Sequence, residues 1–332
     1  CGADTLGIIF DKPAKGKRTA TAGWYNTAAF EEIATADGLY AKTLNGDAYS
    51  AEMKEQTIET IKKDLGQVDM VIYSIAAPRR TAPDGVTYKS VLKTTGESYT
   101  NRTIDLRNNQ LMEATIEPAT DEEIQNTIKV MGGEDWILWI KALKEAGVLA
   151  DGAKTVAYSY IGPELTYPIY KEGSIGQAKK DLYASADKIQ AEIDGVEAYV
   201  SVNKAVVTQS SAAIPIVPLY LAILFKVMKE QKVQEGCIEQ MYRMIHDRLC
   251  NGGAVVTDEN RLIRMDDWEM EPKVQEAVAE IWQKIDQDNL EEVTDLEGYW
   301  QEFYEIFGFR IDGVDYGADV DADVQIPSIA AE

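Results

Sequence analysis

Short apolar runs alternate with helix-like segments along the first two thirds of the chain. Strands are predicted at residues 6–10, 38–47, 68–76, 155–161 and 198–208. Between them, apolar residues recur at helical spacing among charged ones, and helices are predicted at residues 51–65, 121–146 and 174–193. Strands that alternate with helices at these intervals form βαβ units, which build parallel sheets. The pattern therefore predicts an α/β fold with a parallel sheet.

Two regions depart from this alternation. Residues 85–118 show short polar–apolar alternation, broken at Gly96 and at residues 107–109, which predicts a β-hairpin insertion. The acidic residues 312–323 are predicted to form a loop. Helices are predicted over most of the remaining C-terminal part, at residues 216–231, 237–249, 273–285 and 296–307.

Composition and charge exclude several classes of protein. Of the 332 residues, 45% are hydrophobic and 27% are charged, which is typical of a soluble globular protein. The net charge of -23 repels phosphate backbones, so no nucleic-acid partner is expected. The longest apolar run, residues 212–225, is too short to span a bilayer and contains two prolines. With no visible targeting segment, the protein is expected to be cytoplasmic.

Metal and nucleophile chemistry have little support in the sequence. The chain has one histidine, His246, and three cysteines that form no CxxC pair, so no metal site is expected. No G-x-S-x-G motif is present to supply a serine nucleophile. If the protein is an enzyme, its proton donor is therefore expected to be a tyrosine, a lysine or a carboxylic acid.

Three predicted strands end in residues of a kind that can contact a dinucleotide. Ligands of open α/β sheets bind at the carboxyl ends of the strands. Asp11 ends the first strand, and a carboxylate there accepts ribose hydroxyls and repels a 2′-phosphate, which favours NADH over NADPH. The basic residues that follow between positions 12 and 18 leave a phosphate contact open. Asp47 can contact the adenine edge, and the small residues at 74–78 let a cofactor approach the backbone.

A glycine-rich phosphate loop is missing from the sequence. No G-x-G-x-x-G motif is present, and such a loop would lie before the strand that ends at Asp11. We therefore expect that a strand, a glycine-rich turn and a helix, about 30 residues in all, precede residue 1 in a longer protein. The alternative is that the protein has no dinucleotide site.

Tyr170 and Lys179 are the strongest local candidates for chemistry. They are nine positions apart, which would put them on opposite sides of one continuous helix. Ser174 is a good N-cap residue and Gln177 completes a capping box, so Tyr170 is predicted to precede the helix and Lys179 to lie in its second turn. A nearby ammonium lowers the pKa of a phenol and makes it a better acid. Residue type alone favours the alternative of a packed tyrosine and a surface lysine at these positions.

At these residues the sequence resembles the FabV-type enoyl-acyl-carrier-protein reductases and the related trans-2-enoyl-CoA reductases. The resemblance implies a Rossmann-like, doubly wound parallel sheet in a single domain, residues 1–332, that includes the hairpin insertion at 85–118. It also implies NADH-dependent reduction of the 2,3-double bond of an enoyl thioester in fatty acid synthesis. The matching segments include Gly23-Trp24-Tyr25-Asn26 and residues 130–136, 157–164, 170–179, 200–208, 215–229 and 235–240.

The resemblance also implies roles for individual residues. Tyr170 matches the proton donor, Lys179 a lysine that also contacts the cofactor, and Tyr160 a tyrosine that contacts the substrate. At position 11, relatives often have Glu where this chain has Asp. The positions that match cofactor contacts are Phe10, Asp11, Asp47, Ala48, Ile75, Ala76, Val206, Val207 and Thr208.

The sequence is consistent with two acyl carriers and with two alternative functions. The acyl carrier is CoA or an acyl-carrier protein, and an acidic carrier protein would be repelled unless the basic residues Arg79, Arg80, Lys89 and Lys93 form a local patch. The resemblance implies a monomer. The alternatives to an enoyl reductase are a carbonyl reductase of the short-chain dehydrogenase type and a non-catalytic protein that keeps the fold.

Overall fold

The computed structural model describes residues 2–330. The strands are β1 (Thr5–Ile9), β2 (Ala41–Asn45), β3 (Val68–Tyr73), β4 (Arg79–Thr81), β5 (Thr87–Lys89), β6 (Tyr99–Asp105), β7 (Gln110–Ile116), β8 (Leu149–Ser159), β9 (Val196–Val202) and β10 (Leu262–Arg264). The helices are α1 (Ala22–Ala36), α2 (Ala51–Asp64), α3 (Asp121–Met131), α4 (Glu134–Glu145), α5 (Ser174–Glu192), α6 (Val217–Glu230), α7 (Cys237–Arg243), α8 (Pro272–Lys284), α9 (Leu290–Val293), α10 (Leu296–Glu305) and α11 (Pro327–Ala330).

A parallel four-stranded sheet, in the order β10–β9–β8–β3, lies at the centre of the fold. A separate parallel pair is formed by β1 and β2. Alternate residues of β8 point to opposite faces: Ala157 packs with α4 and α5 through Trp136 and Ile189, whereas Val156 packs with Met244 beyond α7. Both faces of the sheet are therefore covered, and the predicted α/β architecture with a parallel sheet is confirmed.

The C-terminal part packs around α6, a helix that is buried on nearly every side. Leu219, Leu221, Leu224 and Phe225 are all fully buried, which is expected of a helix that is hydrophobic all round. α8 and α10 pack against it. Within the described part of the chain, no helix combines the length and apolar character that crossing a membrane requires.

The region of the predicted hairpin insertion contains two hairpins. β6 and β7 form an antiparallel pair that packs its buried residues Ile104 and Ile116 against the α6 core. β4 and β5 form a second, shorter pair that starts at Arg79. The predicted boundary at residue 85 is therefore wrong, because it falls between β4 and β5 and would divide this shorter hairpin.

Other boundaries differ from the sequence prediction where a tertiary contact or a glycine intervenes. The helix predicted over residues 121–146 is two helices, because Gly132 and Gly133 separate α3 from α4. A Cβ atom at Gly132 would overlap the backbone carbonyl oxygen of Ile128, so only glycine fits at this close approach. The strand predicted to reach residue 208 ends at Val202, and α1 has no counterpart among the predicted elements.

The last described residues return to the β1–β2 unit. Trp24 donates its indole N–H to the carbonyl oxygen of Val324 at 2.7 Å, and Tyr25 donates its hydroxyl to that of Ala322 at 2.8 Å. Ser328 donates its hydroxyl to the carboxylate of the buried Glu31 at 2.7 Å. The predicted loop at residues 312–323 contains no helix or strand, and the segment after it ties the C-terminal end to α1 and β2.

Candidate active site

A cavity of about 130 Å³ lies at the carboxyl ends of β3 and β8. The small residues Ser74, Ala76 and Ala157 contribute to its wall, so a flat ring can approach the backbone there. Ile75 and Ala76, two of the predicted cofactor contacts, are part of this wall. The full lining is Tyr73, Ser74, Ile75, Ala76, Met131, Ala157, Tyr158, Lys179 and Leu182.

Lys179 reaches this cavity from the second turn of α5. Its ammonium donates a hydrogen bond to the carbonyl oxygen of Tyr158 at 2.9 Å. Burial lowers the pKa of Lys179 to about 8. No carboxylate among residues 2–330 forms an ion pair with it. A half-buried cation without a counter-ion can donate to a ligand that brings hydroxyl groups or negative charge.

Tyr170 lies in the irregular segment between β8 and α5, as the spacing predicted. The segment folds back on the helix at Gly176, where a Cβ atom would overlap the carbonyl oxygens of Tyr170 and Lys171. Glycine therefore permits the close approach that fixes the Tyr170 backbone over the first turn of α5. The half-buried Tyr170 side chain packs against the α6 core.

The predicted capping box at the start of α5 is wrong. The N-cap residue is Gly173, and Ser174 is the first residue of the helix. The buried Ser174 hydroxyl instead donates to the carbonyl oxygen of Val91 at 2.6 Å and accepts from the N–H of Lys93 at 3.1 Å. A tertiary contact with the loop after β5 has replaced the local cap.

The expected electrostatic coupling between Lys179 and Tyr170 is also wrong. Burial raises the pKa of the Tyr170 phenol well above its ordinary value, and the negative charge of Glu269 adds to the increase. Lys179 donates to a carbonyl oxygen and not to the phenol. Tyr170 therefore keeps its proton throughout the neutral range, as a proton donor must.

Tyr160 and Tyr170 pack edge to face with ring centroids 4.8 Å apart. The Tyr160 hydroxyl donates to Oε1 of Glu269 at 3.0 Å, and the Tyr220 hydroxyl donates to the same oxygen at 2.6 Å. The N–H of Ala205 donates to Oε2 at 2.7 Å. These residues surround a carboxylate that is completely buried.

Sequence reasoning missed this carboxylate. Glu269 lies 109 positions after Tyr160 in an irregular segment, and no local motif marks it. Lys204, the nearby buried cation, was also missed although it closely follows β9. Its ammonium donates to the carbonyl oxygen of Ala205 at 2.8 Å.

The predicted cofactor contacts on β1 and β2 lie together at the ends of that pair. Phe10 is 82% exposed. Asp11 accepts a hydrogen bond from the Thr21 hydroxyl at 2.6 Å, which turns its carboxylate toward the start of α1. Asp47 is exposed and accepts from the N–H of Tyr49 at 3.0 Å. Ala48 is held by its carbonyl oxygen, which accepts from the indole N–H of Trp139 at 3.0 Å.

The predicted contacts after β9 lie in the segment that connects β9 to α6. Val206 is half-buried, and Val207 is buried within the α6 core. The Thr208 hydroxyl accepts from the N–H of Ser211 at 3.0 Å, so it is engaged in the turn before α6. The segment begins at Ala205, whose N–H binds Glu269, and this contact anchors it to the tyrosine cluster.

Parallel α/β sheets with a lysine and a tyrosine near the carboxyl edge are typical of nicotinamide-dependent oxidoreductases, and this protein falls in that class. The family description "Trans-2-enoyl-CoA reductase catalytic region" matches residues 18–250. Because that match spans more than half of the chain, the protein belongs to this family. The resemblance noted from the sequence is confirmed.

Individual relatives agree with this assignment. The trans-2-enoyl-CoA reductase [NADH] of Ruminiclostridium cellulolyticum is 54% identical over 332 residues, which is 99% of this chain and 84% of the relative. The enoyl-[acyl-carrier-protein] reductase [NADH] of Psychromonas ingrahamii is 54% identical over 99% of this chain and 83% of the relative. The crystal structure of the Treponema denticola trans-2-enoyl-CoA reductase in complex with NAD matches with a TM-score of 0.93 and 48% identity. That match covers 96% of this chain and 80% of the other, and it confirms the Rossmann-like fold.

A second family description, "Enoyl reductase FAD binding domain", matches residues 257–320. The geometry of this region does not fit a flavin dinucleotide. Glu271 stands at the start of α8, and the Asp295 carboxylate accepts from the N–H of Gly298 at the start of α10. Carboxylates at these helix N-termini accept from the backbone N–H groups that a pyrophosphate would bind, or repel the pyrophosphate by their charge. These two helix N-termini therefore offer no site for the pyrophosphate of a flavin dinucleotide.

Proposed function

We propose that this protein reduces the 2,3-double bond of trans-2-enoyl thioesters with NADH, with Tyr170 as the proton donor. The state of the Tyr170 hydroxyl is the main support for this proposal. Among residues 2–330, none shares a hydrogen bond with the Tyr170 hydroxyl, although this residue is packed over the helix that carries Lys179. A phenol held in place by packing and left without a protein partner is suited to donating to a substrate.

Cofactor binding is assigned to the residues at the carboxyl ends of the strands. Lys179, which lines the cavity, would donate from its ammonium to the ribose hydroxyls, and residues 74–76 in the cavity wall would contact the nicotinamide ring. Asp11, with Phe10 beside it, would accept from the ribose hydroxyls of the adenosine. When bound, NADH supplies the hydride that is added to the β-carbon of the enoyl group.

Tyr170 acts on the thioester oxygen, where negative charge develops during the reduction. A phenol at that oxygen stabilises the charge by a hydrogen bond or by proton transfer. The raised pKa of Tyr170 keeps the proton available for donation. Tyr160 is proposed to contact the substrate beside it.

The acyl carrier is proposed to be CoA. Two of the four basic residues that would offset an acidic carrier protein are paired with carboxylates. Arg80 is buried and paired with Glu134 at 2.8 Å, and Lys93 is paired with Glu123 at 2.7 Å. The net charge of -23 then disfavours an acidic protein substrate. Comparing crotonyl-CoA with crotonyl-acyl-carrier protein tests this choice, and equal kcat/KM values for the two would contradict it.

The same proposal includes a cytoplasmic location and a monomeric state. The location follows from the use of NADH, an intracellular cofactor, and the monomer follows from the family resemblance. Size-exclusion chromatography with light scattering measures the state, and a stable dimer would overturn that part of the proposal.

The substitution Tyr170→Phe tests the central assignment. Removing the hydroxyl is expected to lower kcat for crotonyl-CoA by about 10²- to 10⁴-fold, as measured by NADH oxidation, because the proton donor is lost. Tyr167→Phe is the matched control: Tyr167 lies in the same segment and contacts Lys171, and its loss should leave kcat within about twofold. Unchanged turnover in Tyr170→Phe would refute the role of Tyr170. A wild-type protein that reduces a ketone but not crotonyl-CoA would instead favour a carbonyl reductase.

A further inference from the structure

The hydroxyl groups of the two packed tyrosines are in different states. The Tyr160 hydroxyl donates its proton in a hydrogen bond to Oε1 of Glu269, at 3.0 Å. The Tyr170 hydroxyl has no such partner within residues 2–330. A phenol has one proton to donate, so a tyrosine that donates to a carboxylate can only accept from other groups. The two phenols are thus chemically unequal, although their rings are in contact.

Glu269 is the group that creates this inequality. It is fully buried and accepts hydrogen bonds from Tyr160, Tyr220 and the N–H of Ala205. The side chain of Gln275 reinforces the arrangement by donating to the backbone carbonyl oxygen of Glu269 at 2.7 Å. A buried carboxylate is costly unless it is paired and hydrogen-bonded. Three of the four lone-pair sites of this carboxylate therefore accept hydrogen bonds, which makes Glu269 a rigid acceptor.

The charges of Glu269 and Lys204 partly offset the cost of burying both groups. Burial raises the pKa of Glu269, while the Tyr220 hydroxyl, the Ala205 N–H and the charge of Lys204 act in the opposite direction. Burial lowers the pKa of Lys204, and the charge of Glu269 opposes that decrease. The buried lysine and the buried carboxylate therefore each favour the charged form of the other.

We propose that Glu269 is a positioning residue, which holds the hydroxyl protons of Tyr160 and Tyr220. It thereby leaves Tyr170 as the phenol of these three that can donate to the thioester oxygen of the substrate. This inference rests on the proposed function of Tyr170. Without Glu269, the Tyr160 hydroxyl is released beside Tyr170. It then competes for the same oxygen, or donates to the Tyr170 oxygen and turns that phenol away from the substrate.

The test combines Glu269→Gln with Tyr160→Phe. Glutamine keeps the size of the side chain but replaces one acceptor oxygen by a donor. Glu269→Gln is expected to lower kcat by about 10- to 100-fold with KM values within about threefold, since Tyr170 is misdirected and binding is unaffected. Tyr160→Phe alone should cost less than about tenfold. The double variant should recover to the level of Tyr160→Phe, because the competing hydroxyl is gone.

A purely structural role for Glu269 gives a different result. It predicts that the double variant, which loses two buried polar groups, is no more active than Glu269→Gln alone. That result would overturn the proposal, as would an unchanged kcat in Glu269→Gln. Thermal unfolding followed by circular dichroism defines a temperature at which every variant is folded. If Glu269→Gln does not fold, Glu269→Asp replaces it: the charge is kept, but the side chain is too short to hold both phenols. The same loss and recovery are expected.

The variants distinguish an error in the role of Glu269 from an error in the proposed function of Tyr170. If Tyr170→Phe retains full turnover, the assignment of Tyr170 fails and this inference fails with it. If Tyr170→Phe loses turnover but Glu269→Gln does not, the proton donor stands and the positioning role of Glu269 is wrong.

Discussion

Two sides of the site differ in how completely their polar groups are hydrogen-bonded. The cofactor side comprises Lys179 and the cavity beside it, and the tyrosine side comprises Tyr160, Tyr170 and Glu269. On the cofactor side, Lys179 has one backbone hydrogen bond, and a cavity of about 130 Å³ lies beside it. On the tyrosine side, Glu269 is fully buried and its two oxygens accept from Tyr160, Tyr220 and a backbone N–H.

This difference indicates a division of tasks. If NADH binds on the cofactor side as proposed, substitutions there should mainly change NADH affinity. The tyrosine side is already organised before the substrate arrives, which is how a protein stabilises developing charge without reorganisation. Substitutions there should mainly change kcat.

The largest effect on the cofactor side is expected from Lys179→Met. Methionine keeps much of the length of the side chain but removes the ammonium, so the dissociation constant for NADH should rise by about 100-fold. Fluorescence titration with NADH measures it. Lys180→Met is the matched control, because Lys180 is exposed and donates to Gln177 on the same helix. Equal affinities in the wild type and Lys179→Met would remove Lys179 from the cofactor site.

A pH dependence of cofactor binding should follow from the same residue. Because burial lowers the pKa of Lys179 to about 8, the ammonium is present below that pH and is lost as the pH rises through it. The affinity for NADH should therefore be highest below pH 8 and should fall by about tenfold between about pH 7 and pH 9. The Tyr158 phenol beside it has a pKa raised to about 12 and does not titrate in this range. A Lys179→Met protein that shows the same slope would contradict the assignment.

A smaller effect is expected from Asp11→Asn, on the choice between NADH and NADPH. The basic residues near it share a cavity of about 180 Å³ with Asp321 and Asp323, so nearby carboxylates partly balance their charge. Removing the Asp11 charge should raise the kcat/KM ratio of NADPH to NADH by about 3- to 10-fold. Asp4→Asn, at the other end of β1, is the control and should leave the ratio unchanged. A ratio that does not move in Asp11→Asn would exclude Asp11 from cofactor selection.

Sequence reasoning was most successful where the relevant rule is local. The alternation of apolar runs and helical segments predicted the parallel sheet, and the rule of strand ends led to Ile75 and Ala76, which line the cavity. The spacing of Tyr170 and Lys179 predicted that the tyrosine precedes the helix. Each of these inferences depends on residues close together in the chain.

Sequence reasoning failed where contacts between segments far apart in the chain determine the structure. The capping box at Ser174 was wrong because Val91, 83 positions away, takes the serine hydroxyl. Glu269 was missed because its partners come from three separate parts of the chain. The direction of the pKa shift at Tyr170 was wrong for the same reason, since burial and Glu269 determine it and not the lysine nearby in sequence.

The most direct test of the division between the two sides is a titration of Tyr170→Phe and Lys179→Met with NADH, side by side. Tyr170→Phe should bind NADH with the affinity of the wild type while turning over crotonyl-CoA at least about 100-fold more slowly. Lys179→Met should bind NADH much more weakly. If Tyr170→Phe lost NADH affinity as Lys179→Met does, the tyrosine would belong to the cofactor side, and the account of two separate tasks would be contradicted.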